Sequence, residues 1–576
     1  MELATGFESI SRDGWRALAV EVLRKSGIET EAPEEALSTA TYDGVTVAPL
    51  YDLDDLPGDP GLPGEAPYVR GARGTPGWEV RQRHAVADPE AVLADLENGV
   101  TSLWLVVGDG AIPVDALGAV IKDVYLDLAP VVLEAGDRVR EAAEVLFGRG
   151  SAVRGNLGAS AVGGPGLELA RRCVDGFPGL GAVTVDATPY HDAGGSDAEE
   201  LGCSIAQGVA ELRALTDGGL SVEQALGQIE FRYAATADQF ATIAKLRAAR
   251  RLWARVAEVC DAAGHGGQRQ HAVTSSAMMT ARDPWVNMLR TTLACFAAGV
   301  GGAEAVTVQP FDACLGLPDA FSRRIARNTQ ALLLEESGLG RVIDPAGGSW
   351  YVERRTADLA ERAWAWFQEI EAAGGITRAA GLVADRIAAT RARRADDVAH
   401  RRLPITGVSE FPNVHEKPVR PPTPAQAASE TGGLPRVRYA EEFEALRDLA
   451  DARPQRPTVF LATIGPVAAH TARAAFAANL FQAGGLDTET AGPGADPEQI
   501  ATAFAVSGAS VACLCSTDKL YAQHAAAVAT ALRKAGARKV WLAGKGEYEG
   551  VDGNLYAGCD ALAVLRETFD DLEVTR

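Results

Sequence analysis

SLWLVVG, at residues 102–108, is the first of eight short apolar runs that decide the fold of this chain. These runs lack strict polar alternation, which is typical of parallel strands buried on both faces. Helical patterns such as 199–216 and 240–263 lie between them. Eight strands alternating with helices predict a TIM barrel; an open doubly wound sheet is the alternative, because a count cannot show closure. The other runs are PVVLEAG (130–136), AVRGNLG (152–158), AVTVDAT (182–188), IEFRYAA (229–235), RQHAVTS (269–275), EAVTVQPFD (304–312) and RVIDP (341–345).

A second set of strand-like runs begins near residue 457. Helical patterns separate its members at 466–482, 496–506 and 518–535, and Pro466 suits the first turn of the first helix. Five strands with interleaved helices predict a flavodoxin-like, doubly wound sheet. The five runs are PTVFLATIG (457–465), LDTETAG (486–492), ASVACLCS (509–516), KVWLAG (539–544) and DALAVL (560–565).

These patterns predict an α/β protein in four parts: an extended N-terminal arm or interface segment (1–95), a TIM barrel with following helices (96–400), a linker (401–455) and a flavodoxin-like domain (456–576). The arm has a helical pattern at 15–26 and then a stretch rich in Pro and Gly at 50–78. Turn formers prevent regular structure there, yet the aromatic residues need a surface to pack on. We therefore expect an arm that lies on another surface, such as another subunit; a flexible tail is the alternative.

Composition excludes several classes of function. The formal net charge of −22 disfavours binding to nucleic acids and to anionic membranes. The N-terminus lacks the basic and apolar regions of a signal peptide, so we expect a cytoplasmic protein. Eight cysteines are scattered, and only Cys513 and Cys515 lie close together. Strand alternation points these two the same way, and we expect buried, reduced thiols and no metal site.

Two motifs follow predicted barrel strands, where barrel active sites lie. DATPYHDAGG (186–195) places Tyr190 and His191 there, as candidate hydrogen-bond donors or proton carriers. A structural or solvated histidine is the alternative. DPAGGS (344–349) offers a Gly-rich turn that suits a phosphate, but it lacks the Lys-Ser/Thr pair of a P-loop, so a tight connection is favoured. These motifs alone specify no reaction.

Longer blocks of sequence resemble a known family. They are NMLRTTLACFAAGVGGAEAVTVQPFD (287–312), LPDAFSRRIARNTQALLLEESGLGRVIDPAGGSWYVE (317–353) and LAERAWAWFQEIEAAGG (359–375). Together with KLRAARRLW (245–253) and FPNVHE (411–416), they resemble the methylmalonyl-CoA mutases over nearly the whole chain. The resemblance implies a barrel that binds acyl-CoA along its axis. It also implies adenosylcobalamin between barrel and C-terminal domain, for the radical interconversion of succinyl-CoA and methylmalonyl-CoA.

The sequence departs from the family where cobalamin is held. The family motif Asp-x-His-x-x-Gly matches ATIGPVAAHTARA (462–474), in which Val467 replaces the aspartate, Ala469 the cobalt-binding histidine and Ala472 the glycine. His470 is one residue away, about 100° around a helix, and should point elsewhere. A paired glycine near the nucleotide tail is reduced to Gly-Lys-Gly at 544–546, where the lysine would crowd the groove.

The barrel also lacks a family residue. The loop that carries the radical-controlling tyrosine corresponds to VRGARGTPGWEVRQ (69–82), which has no tyrosine between Arg70 and Trp78. Tyr190 and His191 match the substrate-polarising pair and are interpreted as vestigial. The pattern resembles the small (beta) chain of the bacterial heterodimeric mutase. It implies that the large (alpha) subunit binds the adenosylcobalamin and catalyses the reaction, and that this chain binds neither cofactor nor metal.

Three hypotheses follow. In the first, the chain is a non-catalytic subunit that supports the large chain. In the second, it is an independently active acyl-CoA mutase with an atypical mode of cobalamin binding, which needs His470 to reach cobalt. In the third, it is a regulatory or docking module that presents the charged helix at 378–402 to a GTPase chaperone; a solvated helix face is the alternative for that segment.

Overall fold

The structure, a computed structural model, describes residues 10–424 and 432–573 of the 576. Its N-terminal arm contains little regular structure. Ser11 caps the first helix by accepting a hydrogen bond from the Gly14 N–H, and Leu23 is the one buried residue of that helix. A two-stranded antiparallel sheet follows. The elements of the arm are α1 (Arg12–Lys25), α2 (Pro33–Leu37), β1 (Thr39–Ala40) and β2 (Thr46–Val47).

Eight parallel strands close into a barrel, which confirms the predicted TIM-barrel architecture and excludes the open sheet. The strands pair in chain order, and the last closes on the first through Ala305 and Val306 opposite Glu79 and Val80. They are β3 (Glu79–His84), β4 (Ser102–Val106), β5 (Val131–Glu134), β6 (Gly155–Ala159), β7 (Leu180–Asp186), β8 (Ile229–Ala235), β9 (Arg269–Thr274) and β10 (Ala305–Thr307).

One of the eight predicted strands was wrong. RVIDP forms a short 3-10 turn and a loop, because its Asp344 side chain binds the guanidinium groups of Arg247 and Arg70. The missing strand is β3, EVRQRH, so the barrel begins before residue 96, where the prediction placed its start. Arginine, glutamine and histidine side chains hide this strand from an apolar pattern, although most of them are buried.

Helices surround the barrel, and the predicted helical patterns at 199–216 and 240–263 correspond to α8 and α10. Ser196 and Glu199 form a capping box at the start of α8. The helices are α3 (Pro89–Glu97), α4 (Val114–Val120), α5 (Val139–Phe147), α6 (Gly166–Gly176), α7 (Thr188–Asp192), α8 (Asp197–Asp217), α9 (Val222–Gly227), α10 (Gln239–Val259), α11 (Val286–Val300), α12 (Ala320–Ala331), α13 (Trp350–Ala372) and α14 (Ala380–Ala399).

The C-terminal domain is a five-stranded parallel sheet of order β12-β11-β13-β14-β15, which is the predicted flavodoxin-like arrangement. Alternate residues of β11, β13 and β14 pack into core clusters on opposite sides of the sheet, so these three runs contain few polar residues. The elements are α15 (Glu441–Asp451), β11 (Thr458–Thr463), α16 (Val467–Ala483), β12 (Asp487–Thr490), α17 (Pro497–Ser507), β13 (Val511–Cys515), α18 (Asp518–Lys534), β14 (Lys539–Ala543), β15 (Gly553–Leu555) and α19 (Ala561–Asp571).

The fifth predicted strand, DALAVL, was wrong. Its first residue, Asp560, accepts a hydrogen bond from the Ala563 N–H at 2.9 Å and caps α19. The edge strand is instead the short segment β15. Cys513 and Cys515 point to the same side of β13, as predicted, and all eight cysteines lie as free thiols within the described residues.

The segment between barrel and C-terminal domain is more ordered than a plain linker. The Pro-rich part of this segment spans residues 418–431. Residues 425–431 of it lie outside the described residues. Residues 434–439, here called the strap, cross the mouth of the barrel: the Val437 N–H donates to the Asp192 carbonyl and the Tyr439 N–H to the Ala277 carbonyl, both at 2.9 Å. Helix α15 follows and packs into the core of the C-terminal domain.

Candidate functional site

Tyr190 and His191 lie on α7, the helical turn that follows β7 at the carboxyl end of the barrel. The Tyr190 side chain lines a cavity of about 460 Å³, together with Glu134, Asp186 and Arg232. The His191 ring lines a different cavity on the other side of the turn. The structure therefore does not direct the two side chains into one site, and their vestigial role stays a prediction.

His191 is held in a buried, uncharged state. Its Nε2 atom lies 2.7 Å from the Ser275 hydroxyl, and its Nδ1 atom lies 3.9 Å from a carboxylate oxygen of Glu200. Burial, followed by the charge of Lys245, lowers the pKa of His191 to about 3. Burial also raises the pKa of Tyr190. Neither group exchanges protons readily near neutral pH in this state.

An ion network lies behind α7. The ammonium of Lys245, which is fully buried, lies 2.7 Å from Glu200 and 2.9 Å from Asp197. Burial raises the pKa of Glu200 to about 7 despite Lys245, whereas the two carboxylates hold the pKa of Lys245 above its usual range against the effect of burial. Asp43 extends the network to the arm by accepting a hydrogen bond from the Ala198 N–H at 2.7 Å.

The Gly-rich DPAGGS segment is a tight connection. Asp344 adopts a φ of 49° and its carboxylate bonds to Arg247 and to Arg70, while Arg247 also bonds to Glu353 at 2.5 Å. A Cβ on Gly347 would lie 2.3 Å from the Asp344 carboxylate, so the turn is closed by its own side chain. These contacts give no support to a phosphate cradle.

Charged side chains that the sequence analysis missed fill the interior of the barrel. Arg81 bonds to Glu230 at 2.7 Å across the barrel and to the Ser102 hydroxyl at 3.0 Å. Arg232 bonds to Asp186 at 2.8 Å and approaches Nδ1 of His271 at 3.3 Å. All but Asp186 are nearly inaccessible to solvent. This charged interior could have been predicted from the charged side chains at alternate positions of EVRQRH, IEFRYAA and RQHAVTS.

An aromatic ring completes this interior. The Arg232 guanidinium lies 4.1 Å and that of Arg83 5.1 Å from the ring centre of Trp104, and His271 meets the same ring edge-on at 5.3 Å. The Nε2 atom of His271 lies 2.8 Å from the Thr307 hydroxyl. Large side chains therefore occupy this part of the barrel interior.

The positions that correspond to the cobalamin motif carry no metal ligand. Val467 and Ala472 are exposed aliphatic residues on α16, and Ala469 is half-buried. His470 is only 8% exposed, and neither of its ring nitrogens has a hydrogen-bond partner within the part of the chain described. Burial lowers the pKa of His470. Both ring nitrogens of His470 are thus shielded from solvent.

Side chains also fill the groove at this edge, the carboxyl ends of the C-terminal strands. A Cβ on Gly465 would lie 2.6 Å from Leu520, and one on Gly544 would lie 2.7 Å from Arg473. Arg473 is fixed by Asp518 at 2.6 Å. The ammonium of Lys545 lies 4.4 Å from the ring centre of Tyr556, within the segment where crowding was predicted. These residues do not fit a corrin ring with a cobalt ligand from this chain.

Comparison with known proteins now decides the family. The family model described as methylmalonyl-CoA mutase matches residues 167–468, which is more than half of the chain. The chain belongs to the methylmalonyl-CoA mutase family. This family consists of isomerases that are generally cobalamin-dependent, and the predicted resemblance is confirmed.

Methylmalonyl-CoA mutase relatives extend this result to the full length. A chain from Streptomyces virginiae named methylmalonyl-CoA mutase small subunit is 57% identical over all of this chain and 98% of its own length. The chain of the same name from Propionibacterium freudenreichii subsp. shermanii is 38% identical over all of this chain and 97% of its own. A methylmalonyl-CoA mutase from Cereibacter sphaeroides is 30% identical over 71% of this chain and 65% of its own.

Two features were searched for and not found among the described residues. Among the described residues, no group of three or more His, Cys, Asp or Glu side chains is arranged to hold a metal ion. Within residues 10–424 and 432–573, the helices also lack any segment both long and apolar enough to cross a bilayer.

Proposed function

We propose that this chain is the small subunit of a heterodimeric methylmalonyl-CoA mutase and that it supports a catalytic large subunit without binding cofactor. The observation that carries the proposal is the carboxyl edge of the C-terminal sheet. Aliphatic residues stand at the motif positions there, and Leu520 and Arg473 occupy the groove. The full-length relatives named small subunits support the same assignment.

The filled barrel axis gives this role a second line of support. The Arg81–Glu230 pair and Trp104, which stacks on Arg232, place large side chains in the barrel interior, where the family resemblance implies that acyl-CoA would bind. Removing one partner of such a buried ion pair is strongly destabilising, because the other charge then stays buried without compensation. In this proposal the interior therefore stabilises the fold, and acyl-CoA is converted only in the large subunit.

Helix α1 offers a surface for the large subunit. Leu18 and Val22 lie one turn apart on it and are 55% and 62% exposed, and the contacts of the helix are mostly with its own arm. Arg12 fixes the arm through Asp52 at 2.7 Å, so the helix is held in place while its apolar face stays uncovered. An uncovered apolar face on a positioned arm is typical of a protein interface.

Co-expression with a large mutase chain tests the proposal. We expect the two chains to co-purify in a 1:1 ratio and the cobalamin to remain with the large chain after the two are separated under mild conditions. Absorption spectra of the separated chains provide the measurement. Cobalamin held tightly by this chain alone, or turnover of methylmalonyl-CoA by this chain without its partner, would reject the proposal.

The interface has its own test. Replacing Leu18 and Val22 together by glutamate should reduce co-purification with the large chain at least tenfold, because two charges would be buried against an apolar surface. Ala17→Glu, on another exposed face of the same helix, is the matched control and should leave the complex intact. Equal effects of the two changes would show that α1 is not the contact.

A chaperone-docking role for the helix at 378–402 stays a prediction with less support. Arg402 bonds to Asp396 and Asp397, and Arg393 donates to the carbonyl of Tyr42. Several charges of this helix are therefore satisfied within the chain itself. A pull-down of a GTPase chaperone that fails after substitutions on this helix, with the heterodimer intact, would be needed to establish the role.

A further inference from the structure

A large cavity lies outside the barrel wall, on the side of α7 that the His191 ring lines. Its volume is about 940 Å³, at the upper end of the range for small-molecule sites. Its walls are the arm segment 40–43, the starts of α8 and α10, and the helices α11, α13 and α14. None of the described residues that line it belongs to a strand of the barrel or of the C-terminal sheet. The cavity is therefore separate from the barrel interior and from the sheet edge.

Arg355, on α13, lines this cavity with a charge that has no direct partner. The residue is only 5% exposed, and its Nε–H is shielded from solvent without an acceptor. Among residues 10–424 and 432–573, its guanidinium makes neither a hydrogen bond nor an ion pair. Buried polar groups without a partner are uncommon in native proteins, and a guanidinium only donates, so the missing partner must be an acceptor.

Three further arginines line the cavity, and they donate to neutral groups. In the part of the chain that the structure describes, none of the three takes part in an ion pair. They are Arg290, Arg393 and Arg394, which donate to the backbone carbonyls of Thr406, Tyr42 and Gly194, respectively. Together with Arg355, they give the cavity four guanidinium charges without a bound counter-ion.

The carboxylates that line the same cavity already have other donors. Burial, followed by the charge of Asp197, also raises the pKa of Asp43, which favours its uncharged form. These carboxylates cannot act as counter-ions of the four arginines without giving up the contacts that they make. Asp43 accepts from the Ala198 N–H, Asp197 from the Lys245 ammonium, Asp238 from the Ala241 N–H, and Asp396 and Asp397 from the Arg402 guanidinium.

We infer that this cavity binds a phosphate monoester, whose phosphate group accepts hydrogen bonds from Arg355 and whose organic part lies against Leu289 and Leu293. A phosphate group presents three acceptor oxygens and can therefore accept from guanidinium groups on different helices, whereas a carboxylate accepts within one plane. Leu289 and Leu293 lie one turn apart on α11, line the cavity and are 67% and 43% exposed. The inference goes beyond the supporting role of the subunit, because that role requires no ligand in this chain.

Isothermal titration of the intact heterodimer with AMP, adenosine and inorganic phosphate tests the inference. All substitutions are made in this chain alone, so differences from the unmodified complex report on this cavity and not on the large subunit. Arg355→Met should weaken AMP binding at least about tenfold, and Arg355→Lys, which keeps a charge, should weaken it less. Leu289→Ser should weaken AMP binding about threefold and leave the binding of inorganic phosphate unchanged.

Thermal unfolding of the same complexes separates a ligand site from a purely structural charge. Without ligand, Arg355→Met should not lower the unfolding temperature, because it removes a buried charge that has no partner. AMP should raise the unfolding temperature of the unmodified complex and have a smaller effect on the variant. A destabilised variant, together with no effect of AMP on the unmodified complex, would assign Arg355 to the fold and overturn the inference.

The neighbouring residue provides a matched control. Arg354 is exposed and pairs with Asp358 at 2.7 Å, so Arg354→Met should leave the AMP isotherm unchanged. An isotherm that Arg355→Met does not change would overturn the inference. So would adenosine or inorganic phosphate that binds as tightly as AMP, because the first lacks the phosphate and the second the organic part. In each case an intact heterodimer with cobalamin on the large chain would leave the proposed function standing.

Discussion

The mouth of the barrel and the carboxyl edge of the C-terminal sheet both lie at the carboxyl ends of parallel strands. The kinds of side chain found at the two places nevertheless differ. The mouth keeps guanidinium groups, carboxylates and a cavity beneath the strap. The sheet edge has aliphatic residues at the motif positions and is closed by Leu520 and Arg473. Within one chain, the sheet edge has aliphatic residues at Val467, Ala469 and Ala472, whereas the barrel keeps a dense set of buried charges.

This difference shows that buried charge can persist for reasons other than catalysis. In the barrel, Lys245 and Glu200 connect α8 to α10, and Asp43 brings the arm into the same network. Loss of one partner would leave another charge buried without compensation. At the sheet edge the ion pair of Arg473 and Asp518 is partly exposed to solvent, so we expect substitution there to lower stability less. Four variants test this contrast.

Lys245→Met should have the largest effect. It leaves Glu200 and Asp197 buried without their cation, and we expect the free energy of unfolding to fall by about 3–5 kcal/mol. Urea-induced unfolding followed by circular dichroism measures the change. Lys25→Met, at an exposed lysine of α1, is the control and should change stability by less than about 0.5 kcal/mol. A similar small change for both variants would show that the network contributes little.

His191 should make the free energy of unfolding depend on pH. Its pKa is about 3 in the folded chain and about 6.5 when unfolded, so the unfolded chain binds more protons between these values. The contribution of His191 is therefore present above pH 6.5 and is lost as the pH falls, by about 2 kcal/mol at pH 5. His191→Gln should remove this part of the pH dependence, whereas His265→Gln, at an exposed histidine, should not. Identical pH profiles for His191→Gln and the unmodified chain would contradict the assignment.

Asp192→Asn should act in the opposite direction. The pKa of Asp192 is raised to about 7, so the folded chain binds more protons than the unfolded one between about pH 4 and pH 7, and stability falls as the pH rises through that range. The asparagine variant avoids this loss. After allowance for the missing contact with Arg436, we expect it to be about 1–2 kcal/mol more stable at pH 8 and nearly unchanged at pH 4. A constant difference across this range, measured by thermal unfolding, would refute the prediction.

Restoring the motif should have the smallest effect. A chain with Val467→Asp, Ala469→His and Ala472→Gly should still bind no cobalamin, because Leu520 and Arg473 continue to occupy the groove. Absorption and electron paramagnetic resonance spectra of the chain incubated with cobalamin provide the measurement. A cobalt–nitrogen bond in this triple variant would show that the ligand residues alone, and not the filled groove, distinguish the sheet edge from the rest of the family.

Much of the fold could be predicted from the sequence because parallel strands buried on both faces leave continuous apolar runs. Seven of the eight barrel strands and four of the five strands of the C-terminal sheet were found in this way. The two failures have different physical causes. The side chains of β3 are polar but buried by pairing, and the three-residue β15 is too short to produce a pattern, while α19 is apolar enough to resemble a strand.

The candidate sites were less predictable because they depend on contacts between distant segments. The absence of a cobalt ligand at Ala469 stays a prediction, which rests on the identity of that one residue. That Tyr190 and His191 line different cavities follows from the helical turn α7, which no spacing rule indicates. The cavity beneath the strap combines Arg83 with Arg436, and only the folded chain brings these residues together.

The strap also limits how the two halves of the chain can move. Its hydrogen bonds at Val437 and Tyr439 end only two residues before α15 begins, and Glu444 in that helix accepts from the Ala281 N–H at 2.6 Å. No slack chain remains between the barrel and the C-terminal domain at this point. These hydrogen bonds make the strap a short joint that is held at both ends. In the proposed heterodimer, this chain would therefore present a surface of fixed geometry to its partner.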